Sequence, residues 1–119
     1  NINNAKKHIH KILKNKGKLI GSTPFLYRYH GAPSDYYRFT SSFYKIFFRK
    51  KFKSVKVKNL GFGPCCLCYS ILSDFTKKIP LLNIFLFSVS LIIDCFLSIF
   101  VKYKLNDIFP IAVYFEVKK

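Results

Sequence analysis

Leu19 to Thr40 reads LIGSTPFLYRYHGAPSDYYRFT. The apolar pair Leu19 and Ile20, followed by the small residues Gly21 and Ser22, predicts a short, fully buried strand over Lys18 to Thr23, with room for close backbone approach. Pro24 ends it. Beyond the proline the chain opens into a loop crowded with His, Asp, Tyr and Arg, and that loop hands over to a helix. Strand, polar loop and helix in this order is how open α/β sheets build ligand sites at the carboxyl ends of their strands. The fold class expected from this stretch is therefore α/β.

Working outward, Asn4 to Asn15 places Ala5, Ile9, Ile12 and Leu13 at helical spacing among Lys and His, which predicts an amphipathic helix stopped by Gly17. On the other side Thr40, Ser41 and Ser42 offer cap oxygens to a second helix, Phe43 to Phe52. Its spacing turns Phe43, Ile46, Phe47 and Phe48 inward and Lys45, Arg49, Lys50 and Lys51 mostly outward. Ser54 to Leu60 alternates Val55 and Val57 with Lys56 and Lys58, a half-buried strand. Gly61, Gly63 and Pro64 then mark a turn. A third helical stretch, Cys65 to Lys77, precedes an almost continuously apolar run from Pro80 to Val101. Pro110 to Val117 alternates Ile111, Val113, Phe115 and Val117 with Ala112, Tyr114 and Glu116, as a closing strand with one well-filled face does. No internal repeat is present.

The run from Leu19 to Thr40 resembles a segment of the class I S-adenosylmethionine-dependent methyltransferases. It is similar to the stretch after their fifth strand in the type 11-like, small-molecule and cell-surface branch, whose members carry a pattern close to PFxYxxHxxPxDYYRxT. Phe109 to Lys119 similarly resembles that family's closing strand. The resemblance implies the C-terminal half of a Rossmann-like methyltransferase sheet, in the order helix, strand, helix, strand, helical insert, antiparallel strand. Residues 1–119 would then be one partial domain with a hydrophobic helical insert over 65–104, and the last strand would run antiparallel between its two predecessors. The chain begins at Asn1 and contains no Met, which also suggests a piece of a longer polypeptide.

In that family a glycine-rich turn after the first strand and an acid ending the second hold S-adenosylmethionine, because glycines permit close approach and a carboxylate accepts from the ribose hydroxyls. Glycines at 17, 21, 31, 61 and 63 do not form GxGxG after a strand, and before residue 90 the acids are Asp35 and Asp74. No cofactor-binding residue is assigned, and the cofactor is expected on the missing N-terminal half. The acceptor side is what remains. His30 is the candidate general base, since imidazole exchanges a proton near neutrality. Tyr27, Asp35 and Tyr36 are candidate substrate-binding residues, with Tyr37 as a further wall. Arg38 would hold a carboxylate or phosphate of a small-molecule or lipid-linked saccharide acceptor. Against this, Asp35 and Arg38 stand three apart and can simply brace the loop. His8 and His10 lie among lysines and are expected in solvent.

The charge balance is strongly basic, with 21 Lys and Arg against 5 Asp and Glu, a net charge of +16. An anionic partner follows from that, although Lys far outnumbers Arg and the abundance of Ile, Asn, Phe and Tyr also fits a biased codon usage. No nucleic-acid module is recognisable, and nucleic acid is not expected as a partner. Cys65 and Cys68 have CxxC spacing with Cys66 between them, but a structural zinc site needs four ligands and Cys95 alone remains, so no metal is expected. Reduced thiols suit a cytoplasmic protein.

Between Leu81 and Val101, 15 of 21 residues are Leu, Ile, Phe or Val. At roughly −0.3 to −0.6 kcal/mol each near a bilayer centre they outweigh the roughly +3 kcal/mol of Asp94. Asn83, Ser90, Asp94 and Ser98 gather on one stripe, so such a helix wants a polar contact on one side and apolar surroundings elsewhere. Three placements stay open for it: a membrane-surface or substrate-covering helix, a core helix, and a span. Lysines flank both ends, which allows snorkelling to one membrane surface and makes the protein a candidate peripheral one. The alternative to the enzyme is a small basic membrane-associated protein without catalysis.

Overall fold

The computed structural model describes residues 2–29, 31 and 37–119. It is a mixed α/β structure with the order α1 (Ile2–Ile12), β1 (Lys18–Pro24), α2 (Ser41–Arg49), β2 (Ser54–Leu60), α3 (Pro64–Thr76), α4 (Pro80–Phe100), α5 (Leu105–Ile108) and β3 (Ala112–Lys118). The three strands form one sheet in the order β1-β3-β2. β3 is antiparallel to both neighbours, with Val117 opposite Leu19 on one side and Val55 on the other. β1 and β2 therefore run parallel to each other and end at the same edge, but β3 fills the space between them and they do not pair. No hydrogen-bonded neighbours in this sheet are parallel, so by itself it is not a doubly wound Rossmann sheet.

Side chains alternate across the sheet. Val113 and Val117 on β3 are fully buried, and Tyr44, Phe48 and Phe52 close over them, with Ile9 of α1 and Leu13 just beyond its end packed alongside. α2 makes this contact because Tyr44 and Phe48 lie one turn apart on one face. Ile46 is 71% exposed, so the face turned inward is that of Tyr44 and Phe48 rather than one including Ile46. Thr40 caps α2, its hydroxyl accepting from the Phe43 N–H at 3.2 Å. Phe115 stacks on Tyr44 with ring centroids 4.8 Å apart. The ring lies over Gly21, where an added Cβ would stand 2.5 Å from its tip, so Gly21 is the residue this packing requires.

The opposite sheet face is open. Ile20 on β1 is 59% exposed, and Lys18 of β1 pairs with Glu116 of β3 at 3.3 Å on that side. β1 is thus a half-buried strand and not the fully buried one its sequence predicts, because among the described residues no helix covers its second face. α1 ends at Ile12, and the residue with positive φ after it is Lys16, at 65°, rather than Gly17.

α3 and α4 form an antiparallel hairpin whose interior is polar. Among the described residues Asp94 is the one buried charged side chain, 2% exposed. Its carboxylate accepts from the Cys65 N–H at 3.0 Å and the Cys66 N–H at 2.8 Å, filling the start of α3 from the neighbouring helix. Asn83 accepts from the Tyr69 hydroxyl at 3.0 Å and the Thr76 hydroxyl at 2.8 Å near the other end. Asn83, Ser90 and Asp94 therefore form the inward stripe expected from their spacing, whereas Ser98 is exposed. The remainder of α4 faces away from protein, and only 6% of its apolar window is buried. Within these residues α4 is therefore not a core helix.

Candidate functional site

The parallel β1 and β2 bring their carboxyl ends to one edge, and the loop after β1, α5 and the start of α3 meet there. Of the residues singled out in the sequence, Tyr27, Tyr37 and Arg38 are described. His30, Asp35 and Tyr36 lie outside the described residues.

Arg38 reaches back across its own loop. Its Nη1 donates to the Phe25 carbonyl at 3.1 Å and the Tyr27 carbonyl at 3.2 Å, and its Nη2 to the Arg28 carbonyl at 3.0 Å. Three main-chain acceptors on one guanidinium make Arg38 the brace of the loop that carries Tyr27. Tyr27 is half-exposed at the rim, with the Arg28 guanidinium 5.6 Å from its ring centre. Arg28 also forms an ion pair with Asp74 of α3, which fastens the loop to the hairpin. Tyr37 is exposed, and it begins an aromatic stack through Phe39, Phe43 and Phe47 that anchors the far end of the loop on α2.

Beneath this loop lies a small cavity of about 160 Å³ bordered by Phe25, Thr40, Ser41, Asn59 and Val113. It adjoins a more polar one of about 260 Å³ lined by Lys45, Lys58, Asn59, Lys104 and Asp107. Asn59 ties the floor together: its Nδ2 donates to Asp107 at 3.2 Å, and the Asn106 amide donates to the Asn59 carbonyl at 3.1 Å. Thr23 Oγ1 and Asn59 Oδ1 are both buried without a protein partner. They flank Val113 from the two outer strands at the same register position. Buried polar atoms without partners are rare and are met by water or a ligand hydroxyl. Sequence reasoning missed this pocket, because its lysines come from α2, β2 and the segment before α5, and only the sheet order brings them together.

The junction after β2 is not an open anion site. β2 is followed by Gly61, Phe62, Gly63 and the start of α3, a strand-turn-helix junction of the kind that receives a phosphate or ribose elsewhere. Here the Asp94 carboxylate already occupies that place, and a Cβ on Gly63 would stand 2.5 Å from it. An anionic group would meet a carboxylate where it needs free N–H groups.

Burial and Asp94 disfavour the thiolate form of the cysteines beside that carboxylate. Burial, followed by the hydrogen bond and charge of Asp94, pushes the Cys66 thiol up to about 12. The Cys65 thiol is raised first by burial and then by the Asp94 charge. Among the described residues, no three or more His, Cys, Asp and Glu side chains stand together in a way that could hold a metal ion. Comparison with protein-family models, with curated proteins and with solved structures found no match for this chain.

Proposed function

We propose that these residues are the acceptor-side, C-terminal half of an S-adenosylmethionine-dependent methyltransferase. The observation that carries the reading is the sheet order. Two parallel strands joined through a helix, with the last strand inserted antiparallel between them, is the arrangement that the resemblance of Leu19 to Thr40 and Phe109 to Lys119 implies. The two free sheet edges support it as well. β2 guards its edge with Lys56 and Lys58, whereas β1 has Leu19, Ile20, Gly21 and Ser22 in its centre and no charge there. An unguarded edge invites another strand, and the cofactor half would continue the sheet past β1.

In this reading the chain's own residues handle the acceptor. Arg38 and the aromatic stack hold the loop in shape, Tyr27 offers a ring to an acceptor at the rim, and His30 takes the proton that an attacking hydroxyl or amine releases. Lys45, Lys58 and Lys104 would attract an anionic acceptor, such as a phosphate-bearing, lipid-linked saccharide, to the pocket below. S-adenosylmethionine would supply the methyl group from polypeptide outside these residues.

Sequencing the reading frame upstream of Asn1 tests this directly. A strand followed by a GxGxG turn is expected there, and calorimetry on the longer polypeptide should show S-adenosylmethionine binding that the 119 residues alone do not give. A frame that closes just before Asn1, or a longer chain without affinity for the cofactor, overturns the proposal.

A further inference from the structure

The α3–α4 hairpin is built for an apolar surrounding, and we infer that it seats the protein on an anionic lipid bilayer with α4 lying in the membrane plane rather than crossing it. This inference stands apart from the catalytic reading. α4 is 21 residues long with a mean hydropathy of 2.2 over its apolar window. Its outward row is fully apolar in water: Leu81 is 82% exposed, Phe85 63%, Ile92 68%, Phe96 60% and Ile99 75%. A row of this size exposed to water marks a partner surface or a membrane.

The polar groups of the hairpin identify the medium. Ser88 and Ser90 donate to the Ile84 and Leu86 carbonyls at 2.9 and 2.8 Å, and Ser98 to the Cys95 carbonyl at 2.6 Å. On α3, Ser70, Ser73 and Thr76 likewise donate to carbonyls one turn back. Asp94 and Asn83 bond across the hairpin to α3. The serine and threonine hydroxyls, the Asn83 carbonyl oxygen and the Asp94 carboxylate thus find partners within the hairpin rather than in water. That is the requirement hydrocarbon imposes and water does not.

Two further features select an anionic surface and an in-plane helix. Lys77 and Lys78 precede α4, and Lys102 and Lys104 follow it, in a chain of net charge +16. Lysines at both ends extend to the headgroups of one leaflet when the helix lies flat. The helix is also held at both ends by the same sheet edge. Before it, Asp74 of α3 pairs with Arg28 of the loop after β1, and after it, Asn106 and Asp107 of α5 bond to Asn59 at the carboxyl end of β2. A span would carry one end across roughly 30 Å of hydrocarbon and tear one of these ties.

Co-sedimentation with vesicles of neutral phosphatidylcholine, with and without anionic phosphatidylglycerol, tests the inference. Binding is expected to the anionic vesicles and to fall with salt. Lys102→Gln and Lys104→Gln should each weaken it about fivefold. Ile92→Asp with Phe96→Asp should weaken it on the order of a hundredfold, while circular dichroism stays unchanged because both side chains are already in solvent. On sealed vesicles a membrane-impermeant amine reagent should label Lys78 and Lys102 from outside. Protection of one of the two shows a span and overturns the in-plane seat. Equal affinity for neutral vesicles overturns the anionic partner. Absence of vesicle binding, or a vesicle-independent dimer that the Ile92→Asp and Phe96→Asp pair dissolves, overturns the membrane altogether.

Discussion

The sheet with α1 and α2 and the α3–α4 hairpin solve opposite problems. In the sheet body Phe48 and Val117 are inside while Lys56 and Lys58 are outside. In the hairpin Asp94 and Asn83 are turned in, and Phe85 and Phe96 are turned out. The first arrangement folds because apolar surface leaves water. The second buries little apolar surface, Cys66 and Leu67 on α3 with the Tyr69–Phe87 ring contact, and is tied by hydrogen bonds between its helices. One chain therefore carries two regions suited to two solvents, and a residue type cannot be assigned a role without knowing which region holds it.

The sharpest way to break this contrast is to make one change in both regions. Phe48→Ala should cost about 3–5 kcal/mol in urea unfolding, since a fully buried ring leaves a cavity. Phe96→Ala should stay within roughly 0.5 kcal/mol in the same experiment. Equal losses at the two sites would show that the hairpin is covered by protein in solution. Asp94→Ala comes next in size, with about 2–3 kcal/mol lost through two unpaired N–H groups at the start of α3. A second readout accompanies it: Cys66 should react faster with iodoacetamide at alkaline pH once the carboxylate that raises its thiol is gone. With Asp94 in place, Cys66 makes stability fall only as pH climbs from its ordinary value near 9 toward about 12, because the unfolded chain releases that proton first.

Gly21→Ala should lose about 1–3 kcal/mol of thermal stability as the new methyl displaces the Phe115 ring. The hairpin contacts, followed by the Tyr69 to Asn83 bond in NMR, should be unmoved. Lys16→Gly should stabilise the chain by about 1 kcal/mol, by removing a side chain from a left-handed backbone position. The smallest effect concerns Glu116, whose carboxyl is held below the ordinary range mainly by the hydrogen bond from Lys18. A depressed carboxyl contributes above its unfolded value and loses that contribution as pH falls through its folded one. Glu116→Gln should flatten a slight acid limb of the stability curve, and added salt should do the same.

Much of the sheet body was legible in the residues. Ser54 to Leu60 forms the strand its alternation predicts, with the same ends, and Val113, Phe115 and Val117 share the filled face. The stripe on α4 was legible too, since helical spacing alone puts Asn83, Ser90 and Asp94 on one side. Ile20 and Ile46 misled, because adjacent apolar residues do not say which face has a neighbour, and both point to solvent. α5 was not foreseen, having four residues and too short a period to register. The partner of Asp94 was also hidden: spacing says that a polar contact is wanted, while only the fold supplies the start of α3. For the pocket at the carboxyl edge, Lys45, Lys58 and Lys104 are dispersed along the chain, and no local pattern joins them.

The uncharged centre of β1 has a consequence for handling the molecule. Backbone groups along that border can take up an extended segment from a second copy of the chain. Concentrated preparations should thus thicken through strand pairing at this border, and a short extended peptide that pairs with β1 would act as a plug that keeps them clear.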